Sequence, residues 1–280
     1  MDGAFGFVHN AENQPWGKTR PDFGRAEVRQ FIRDNVMMWL NDFHINGLRF
    51  DSTLYMRSST GDGNTDLPEG WSLKQWLNDE VANGKARVPH EIDPHSARSW
   101  FAQKRSTLAA ALVFTAPGIP MLFQGQAFLQ GEWFRDDVPL DWNLNGEFNG
   151  IVRLYRDLIA LRLNRSGETR GLTAQNANVF HVNDDANVLA FHRFESHGHG
   201  DDVVVVMNFS IDTRGNCRIG LPAAGRWRLS FNRDASIYSP DFSNAAARDI
   251  VTEDRPQDGF ASSAVLDVPP YSTLIYMRPF

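Results

Sequence analysis

Residues 39–52 have the sequence WLNDFHINGLRFDS, in which a helix leads into a short apolar strand that ends in an acid. Apolar residues at helical spacing predict a helix over 25–43, and the strand is predicted over 47–51. In a (β/α) barrel the catalytic side chains project from the carboxyl ends of the strands, which is the position of Asp51. Arg49, two residues earlier, points to the same side of the strand and favours the ionised carboxylate. An Asp at a strand end is also a common cap or turn former, so the motif alone leaves both interpretations open.

Outward from this stretch, helices and short apolar segments alternate up to about residue 165. A capping box formed by Ser72 and Gln75 begins one helix, and Pro94 in a first turn begins a longer one. The predicted elements are helices over 72–81, 93–115 and 151–163 and a strand, buried on both faces, over 119–123. This alternation predicts parallel βα units.

After about residue 175 the helical period disappears, and short strands separated by turn residues take over. The strands are predicted over 178–182, 188–194, 203–209, 226–231, 264–268 and 273–277. Their spacing is typical of an antiparallel sandwich. The predicted fold class is therefore α/β, with a partial (β/α) TIM-type barrel domain over 1–170 and an all-β sandwich domain over 175–280. The boundary is expected near residues 165–178.

Composition narrows the classes of partner. The 280 residues carry a net charge of −6, which disfavours a nucleic-acid partner held by its phosphates. No apolar run approaches the roughly 18 residues that a bilayer span needs, and the first residues do not resemble a signal peptide. The single cysteine, Cys217, excludes an internal disulfide framework. These features predict a cytoplasmic protein without a membrane partner.

Metal sites are not predicted from the sequence. The histidines considered as ligands are His90, His95, His192, His197 and His199. None has convincing ligand spacing, and 197–199 lies in a loop rich in Gly, His and Asp, where a solvated turn is the expected structure.

Five segments, in order along the chain, carry a family resemblance. They are WLNDFHINGLRFDS over 39–52, DEVANGK over 79–85, APGIPMLFQGQ over 116–126, the pairs Glu132-Trp133 and Pro139–Trp142, and PPYSTL over 269–274. Together they resemble the α-amylase superfamily, glycoside hydrolase family 13, and within it the α-1,4-glucan branching enzymes and their trehalohydrolase relatives.

The resemblance implies retaining chemistry on α-1,4-glucans (glycogen, amylose or maltooligosaccharides) with no organic cofactor. It makes Asp51 the nucleophile, Arg49 the group that keeps it ionised, and Asp79 the carboxylate that binds the sugar ring. It also places Gln126 in the glucan site, although Ala127 replaces the acidic residue expected after it. Transfer of the glycosyl unit to a glucan 6-hydroxyl gives branching, and transfer to water gives hydrolysis.

Two tryptophans follow the predicted last barrel strand. Trp133 and Trp142 lie in a loop, where an indole suits stacking on a sugar face as well as it suits packing. We predict both as substrate-binding residues, with a place in the core as the alternative.

The spacing departs from the family pattern at one place. Asp51 and Asp79 are 28 residues apart, whereas in the family the acid/base Glu and two βα units lie between these positions. A single βαβ unit takes about 30 residues, so they do not fit. Glu80 and Glu91 are the nearest substitutes, and neither is predicted at a strand end. Asn78 stands where the family has His, and the helix from Ser72 runs into Asp79, which favours a solvated or capping carboxylate.

The sequence therefore predicts a family member that is shortened at its N-terminus and internally, and leaves three functions open. The chain is an active branching-type enzyme, a non-catalytic glucan-binding derivative, or a truncated remnant. The strand edges of an incomplete barrel would also be open, which predicts self-association.

Overall fold

The structure, a computed structural model, describes residues 86–132, 137–243, 245 and 247–280, together with 8–10, 19–21 and seven positions between 26 and 38. The chain divides into two compact units, Met1–Asp79 and Glu80–Phe280. In the first unit, β1 (Val8–Asn10) pairs with β2 (Thr19–Pro21) in an antiparallel ladder. The described positions between 26 and 38 are all helical, in agreement with the helix predicted over 25–43. The strand predicted over 47–51 and the helix predicted over 72–81 lie outside the described residues.

Four α-helices occur among the described residues of the second unit. They are α1 (Val88–Ile92), α2 (Trp100–Thr115), α3 (Asn143–Glu147) and α4 (Asn149–Arg162), with 3-10 turns at Gln126–Phe128 and Arg170–Leu172. Helix α4 confirms the prediction over 151–163.

The long helix begins later than predicted. The Asp93 carboxylate accepts hydrogen bonds from the backbone N–H groups of His95 and Ser96, both at 3.1 Å, so these residues form a turn. Ser99 is the N-cap of α2 instead, because its hydroxyl accepts the N–H of Ala102 at 3.2 Å. The prediction that this helix begins at Asp93-Pro94 was wrong, because Ser99 caps the helix and residues 93–96 form a separate turn.

The buried strand predicted over 119–123 is also wrong: this segment is irregular. No strand among the described residues pairs with it, and Ile119 is 67% exposed. Pro120 supplies no N–H group, and the N–H of Phe123 donates to the Gln126 side chain at 3.0 Å rather than to a sheet. An apolar run becomes a strand only where a neighbour satisfies its backbone.

The C-terminal part is an antiparallel β-sandwich, as predicted. A six-stranded sheet has the order β3-β4-β5-β10-β7-β8, and a two-stranded sheet pairs β6 with β9. The strands are β3 (Asn176–Asn183), β4 (Val188–Phe194), β5 (Val203–Asn208), β6 (Arg214–Leu221), β7 (Arg226–Asn232), β8 (Ile250–Val251), β9 (Ser262–Val268) and β10 (Ser272–Met277). Six of these eight strands were predicted from the sequence, whereas β6 and β8 were not.

Both faces of the six-stranded sheet are covered, which explains the unbroken apolar run of β5. Val203, Val205 and Met207 belong to the core shared with α2 and α4, while Val204 and Val206 belong to the core shared with β6 and β9. Successive side chains of a strand point to opposite faces, so a strand buried on both faces is apolar throughout. The predicted division into 1–170 and 175–280 stays a prediction; the described helices α2 and α4 pack on this sheet within the second unit.

Candidate functional site

Two of the six predicted site residues, Gln126 and Trp142, belong to the described part of the chain. Arg49, Asp51, Asp79 and Trp133 lie outside the described residues, so their positions stay predictions.

The loop that carries Gln126 is a tight reversal. Gly125 has a φ of 82°, and its carbonyl accepts the N–H groups of Phe128 at 3.2 Å and of Gln130 at 3.0 Å. A Cβ atom at Gly125 would lie 2.6 Å from the Cβ of Gln130, so both the backbone angle and the space require glycine here. The reversal leads into the short turn Gln126–Phe128, in which Gln126 is half-buried and Phe128 is buried.

Gln126 holds this loop in shape. Its Oε1 accepts the N–H of Phe123 at 3.0 Å, and its side chain lies next to the hydroxyl of Tyr155 on α4. Burial raises the pKa of Tyr155, whereas the contact with Gln126 lowers it by less, so the phenol stays protonated. The side-chain carbonyl oxygen of Gln126 is therefore bonded within the loop, and the role that this bond indicates for Gln126 is to hold the loop in position.

Trp142 lies beside the same turn. The residue is 67% exposed, and its ring packs on the buried ring of Phe128 with 5.3 Å between centroids. Gln130 fixes this arrangement, because its Oε1 accepts the backbone N–H of Asp141 at 2.9 Å. We call the exposed ring of Trp142, with the buried ring of Phe128 beneath it, the Trp142 surface. Gln126 belongs to the same turn as Phe128, but its Oε1 is bonded to the backbone N–H of Phe123.

Arg87 is a residue of this region that the sequence analysis missed. Its Nε donates to the carbonyl of Gln124 and its Nη1 to that of Gly131, both at 3.3 Å. Its guanidinium also lies 5.5 Å from the centroid of the Phe123 ring, and burial lowers the pKa of Arg87. Arg87 therefore fastens the segment that follows 79–85 to the loop. No pattern in the sequence distinguishes it from a solvated arginine.

Of the two acids considered as substitutes for the acid/base, Glu91 belongs to the described residues and Glu80 lies outside them. Glu91 lies in α1 with an exposed side chain, and its Oε1 accepts the N–H of Ala86 at 3.1 Å. This agrees with the prediction that Glu91 does not stand at a strand end.

One group of three side chains among the described residues could hold a metal ion: His192, His197 and Asp202. Neither histidine has convincing ligand spacing in the sequence, since the reversal of the chain that brings them together is a property of the folded hairpin. Among the residues that the structure describes, no helix has both the length and the apolar character needed to cross a membrane.

Comparison with known proteins agrees with the resemblance seen in the sequence. The family model described as "Alpha amylase, C-terminal all-beta domain" matches residues 180–278. The 1,4-alpha-glucan branching enzyme GlgB of Rhodospirillum rubrum is 27% identical over 385 residues, which cover 100% of this chain and 50% of that protein. GlgB of Mycobacterium tuberculosis H37Rv is 29% identical over 362 residues, covering 94% of this chain and 49% of that protein.

Solved structures give the same fold. A pullulanase from Anoxybacillus sp. LM18-11, solved in complex with maltotetraose, superposes with a TM-score of 0.53 at 15% identity, covering 97% of this chain and 50% of that one. A second crystal structure of a pullulanase from the same source gives a TM-score of 0.54 at 15% identity. These similarities confirm the predicted fold class, a partial (β/α) barrel followed by a β-sandwich.

The lengths differ in two ways. The chain spans about half the length of the curated relatives it matches. In addition, the alignment with the Rhodospirillum rubrum enzyme extends over 385 positions although this chain has 280 residues, so at least 105 positions within the alignment have no counterpart here.

Proposed function

We propose that this chain, which is similar to the α-1,4-glucan branching enzymes of glycoside hydrolase family 13, binds α-1,4-glucan chains on the Trp142 surface and no longer turns them over. The observation that carries the binding is the exposed indole of Trp142, supported from below by Phe128. A flat apolar ring held rigidly at the surface matches the apolar face of a glucose unit. The proposed loss of turnover rests on the absence of a predicted acid/base carboxylate.

The chemistry would centre on Asp51. A retaining glycosidase needs a nucleophilic carboxylate and an acid/base carboxyl about 5–5.5 Å apart. Asp51 supplies the first and Arg49 keeps it ionised, while Asp79 would bind the sugar ring. The second carboxyl must protonate the leaving oxygen and then activate the acceptor hydroxyl, and no residue of this chain is predicted to stand where it could do so.

Two independent observations support an internal loss of this carboxyl. Asp51 and Asp79 are only 28 residues apart in the sequence, and at least 105 positions inside the alignment with a branching enzyme are unmatched. Two βα units and the acid/base segment would together account for a gap of this order. A second copy of the chain cannot supply the missing Glu, because every copy lacks it.

A second candidate function is retained branching activity, and the segment over 47–52 favours it. GLRFDS keeps both Arg49 and Asp51 in the family order. In this reading an unexpected carboxyl, such as Glu80, would act as the acid/base, and the glycosyl unit would pass to a glucan 6-hydroxyl.

Binding is tested by affinity electrophoresis in gels that contain glycogen or amylose, with calorimetry against maltooligosaccharides. We expect the wild-type chain to be retarded and Trp142→Ala to lose about ten-fold in affinity, the value of one aromatic stacking contact. Phe280→Ala is the matched control, since it removes another exposed aromatic ring of the same unit. Equal affinity of Trp142→Ala and wild type would contradict the Trp142 surface as the binding site.

Turnover is tested by incubating the chain with amylose and following iodine colour and reducing ends together. We expect neither to change, for the wild type or for Asp51→Asn. A fall in colour without new reducing ends would establish branching, and a change in both would establish hydrolysis. Either result, if abolished in Asp51→Asn, would refute the loss of turnover and keep Asp51 as the nucleophile.

We also propose that the chain works in the cytoplasm on an α-glucan such as glycogen, amylose or a maltooligosaccharide, and that it self-associates through an incomplete barrel. Light scattering at several concentrations tests the last point. A single monomeric species that melts cooperatively would count against it.

A further inference from the structure

The hairpin between β4 and β5 gathers three side chains that suit a metal ion. Strand β4 ends at Phe194 and β5 begins at Val203. Between them the chain reverses through His197 and Gly198, with φ angles of 67° and 108°, in the left-handed region. The reversal brings the exposed His197 back over the buried His192.

Asp202 lies between the two imidazoles. Its Oδ1 is 2.9 Å from Nε2 of His192 and 3.3 Å from Nδ1 of His197. Its Oδ2 faces the other way: it accepts the N–H of Gly198 at 2.9 Å and lies 3.7 Å from Nη1 of Arg278. The carboxylate is therefore held by one oxygen and presents the other to the histidines.

The neighbouring groups fix the rings. The Phe194 ring stacks on His197 with 3.9 Å between centroids and on His192 with 4.7 Å. Asp201, the residue before Asp202, accepts the N–H groups of Glu195 and Ser196, so the start of the loop is held as well. His192 and Asp202 are buried, whereas the His197 side chain is 59% exposed.

We propose that His192 Nε2, His197 Nδ1 and Asp202 Oδ1 bind a transition-metal dication of the Zn²⁺ type, with water in the remaining position on the exposed side. Bond lengths of about 2.0–2.1 Å in a tetrahedral site place ligand atoms roughly 3.3 Å apart, close to the two distances from Asp202. All three atoms lie within 4.8 Å of one another, and the exposed His197 can close the remaining gap. Two imidazoles, one carboxylate and a water form a ligand set that zinc accepts.

Binding exchanges protons for the metal. In the metal-free chain the imidazole N–H groups that face Oδ1 donate to it. Each of these nitrogens must present its lone pair to the metal, so its proton moves to the other ring nitrogen or leaves to solvent. The Arg278 cation, close to Oδ2, opposes a second positive charge. The site should therefore bind zinc more weakly than a closed structural site would.

The test uses the full chain without a histidine tag, freed of metal by a chelator. Titration with ZnCl₂ in a calorimeter should show one site, Co²⁺ should give visible d–d absorption, and the melting temperature should rise with the zinc concentration. His197→Ala should lower zinc affinity by more than the roughly 10–100-fold that loss of an outer partner costs. Because His197 is exposed, this variant should fold.

His199→Ala is the matched control, since it removes another exposed histidine of the same loop. It should bind zinc and cobalt as the wild type does. Failure of the wild-type chain to bind Zn²⁺ would overturn the site, as would equal zinc affinities of His197→Ala and wild type. A site lost in His199→Ala but kept in His197→Ala would equally contradict the assignment.

Discussion

The two faces of the six-stranded sheet are covered by cores of different composition. On the face toward β6 and β9 the core is apolar, with members such as Trp227, Ile219 and Leu274. On the face toward α2 and α4, buried cations accompany the apolar core. Lys104 and Arg233 are both fully buried here, and Lys104 forms an ion pair with Asp234.

The cations on the helical side hold α2 in place. Arg233 donates from Nε to Thr107 Oγ1 at 3.1 Å and also to the backbone carbonyl of Lys104. Arg162 and Arg193 donate to carbonyls at the carboxyl end of α2, where cations complement the helix dipole. Sheet-on-sheet packing needs only complementary apolar shape, whereas the helix is fixed in one position by directional bonds.

Removal of the one acid in the Lys104 cluster should have the largest effect. Asp234→Asn leaves two buried cations without a counter-charge, and breaking a buried pair in this way costs about 3–5 kcal/mol of unfolding free energy. Urea unfolding measures it. Asp241→Asn, at an exposed position nearby, should stay within about 0.5 kcal/mol of the wild type. A small loss for Asp234→Asn would mean that the cluster is already solvated.

The same cluster should make stability depend on alkaline pH. Burial, and then the nearby Arg233, lower the pKa of Lys104 from 10.5 to about 8. Between these values the unfolded chain holds a proton that the folded chain has released, so stability should rise with pH from about 8 to 10.5.

The variant Lys104→Met isolates the contribution of Lys104 to this pH dependence. It keeps Arg233, and burial lowers the pKa of Arg233 to about 9. Its stability should rise less steeply over the same window, by a difference on the order of 1–3 kcal/mol. Urea unfolding at each pH measures the unfolding free energy of both proteins. Parallel profiles of this free energy against pH would refute a buried Lys104 amine with a lowered pKa.

On the apolar face the expected effect is smaller and independent of pH. Ile219→Val removes one methylene from a fully buried position and should cost about 0.5–1.5 kcal/mol. The titratable groups that share this core, Tyr276 and Cys217, have pKa values raised by burial, so both stay uncharged and the loss should be the same at pH 6 and pH 8. A pH-dependent loss would show that the two faces do not differ in the way described.

The strand pattern of the sandwich was predictable because each strand is apolar on the faces it buries. The two missed strands show where this rule ends. In β6 the register shifts between Arg214 and Cys217, and Asn216 has a φ of 53°, so the bulge interrupts the alternation. Strand β8 has only two residues, too few to show any period. In the candidate site, the exposed Trp142 was found from its loop context, whereas Arg87 was not, because its partners are backbone carbonyls about 40 residues away.

The sequence by itself determined the resemblance to the branching enzymes, most of the sandwich strands and the short spacing between Asp51 and Asp79, since motif order, alternation and spacing are properties of the linear chain. Only the tertiary structure decided that 119–123 forms no strand, since pairing depends on whether a neighbour is present. It alone brought His192, His197 and Asp202 together, because the hairpin reverses the chain between them. Contacts of this kind depend on where the backbone turns in space, which the spacing of residues along the chain does not encode.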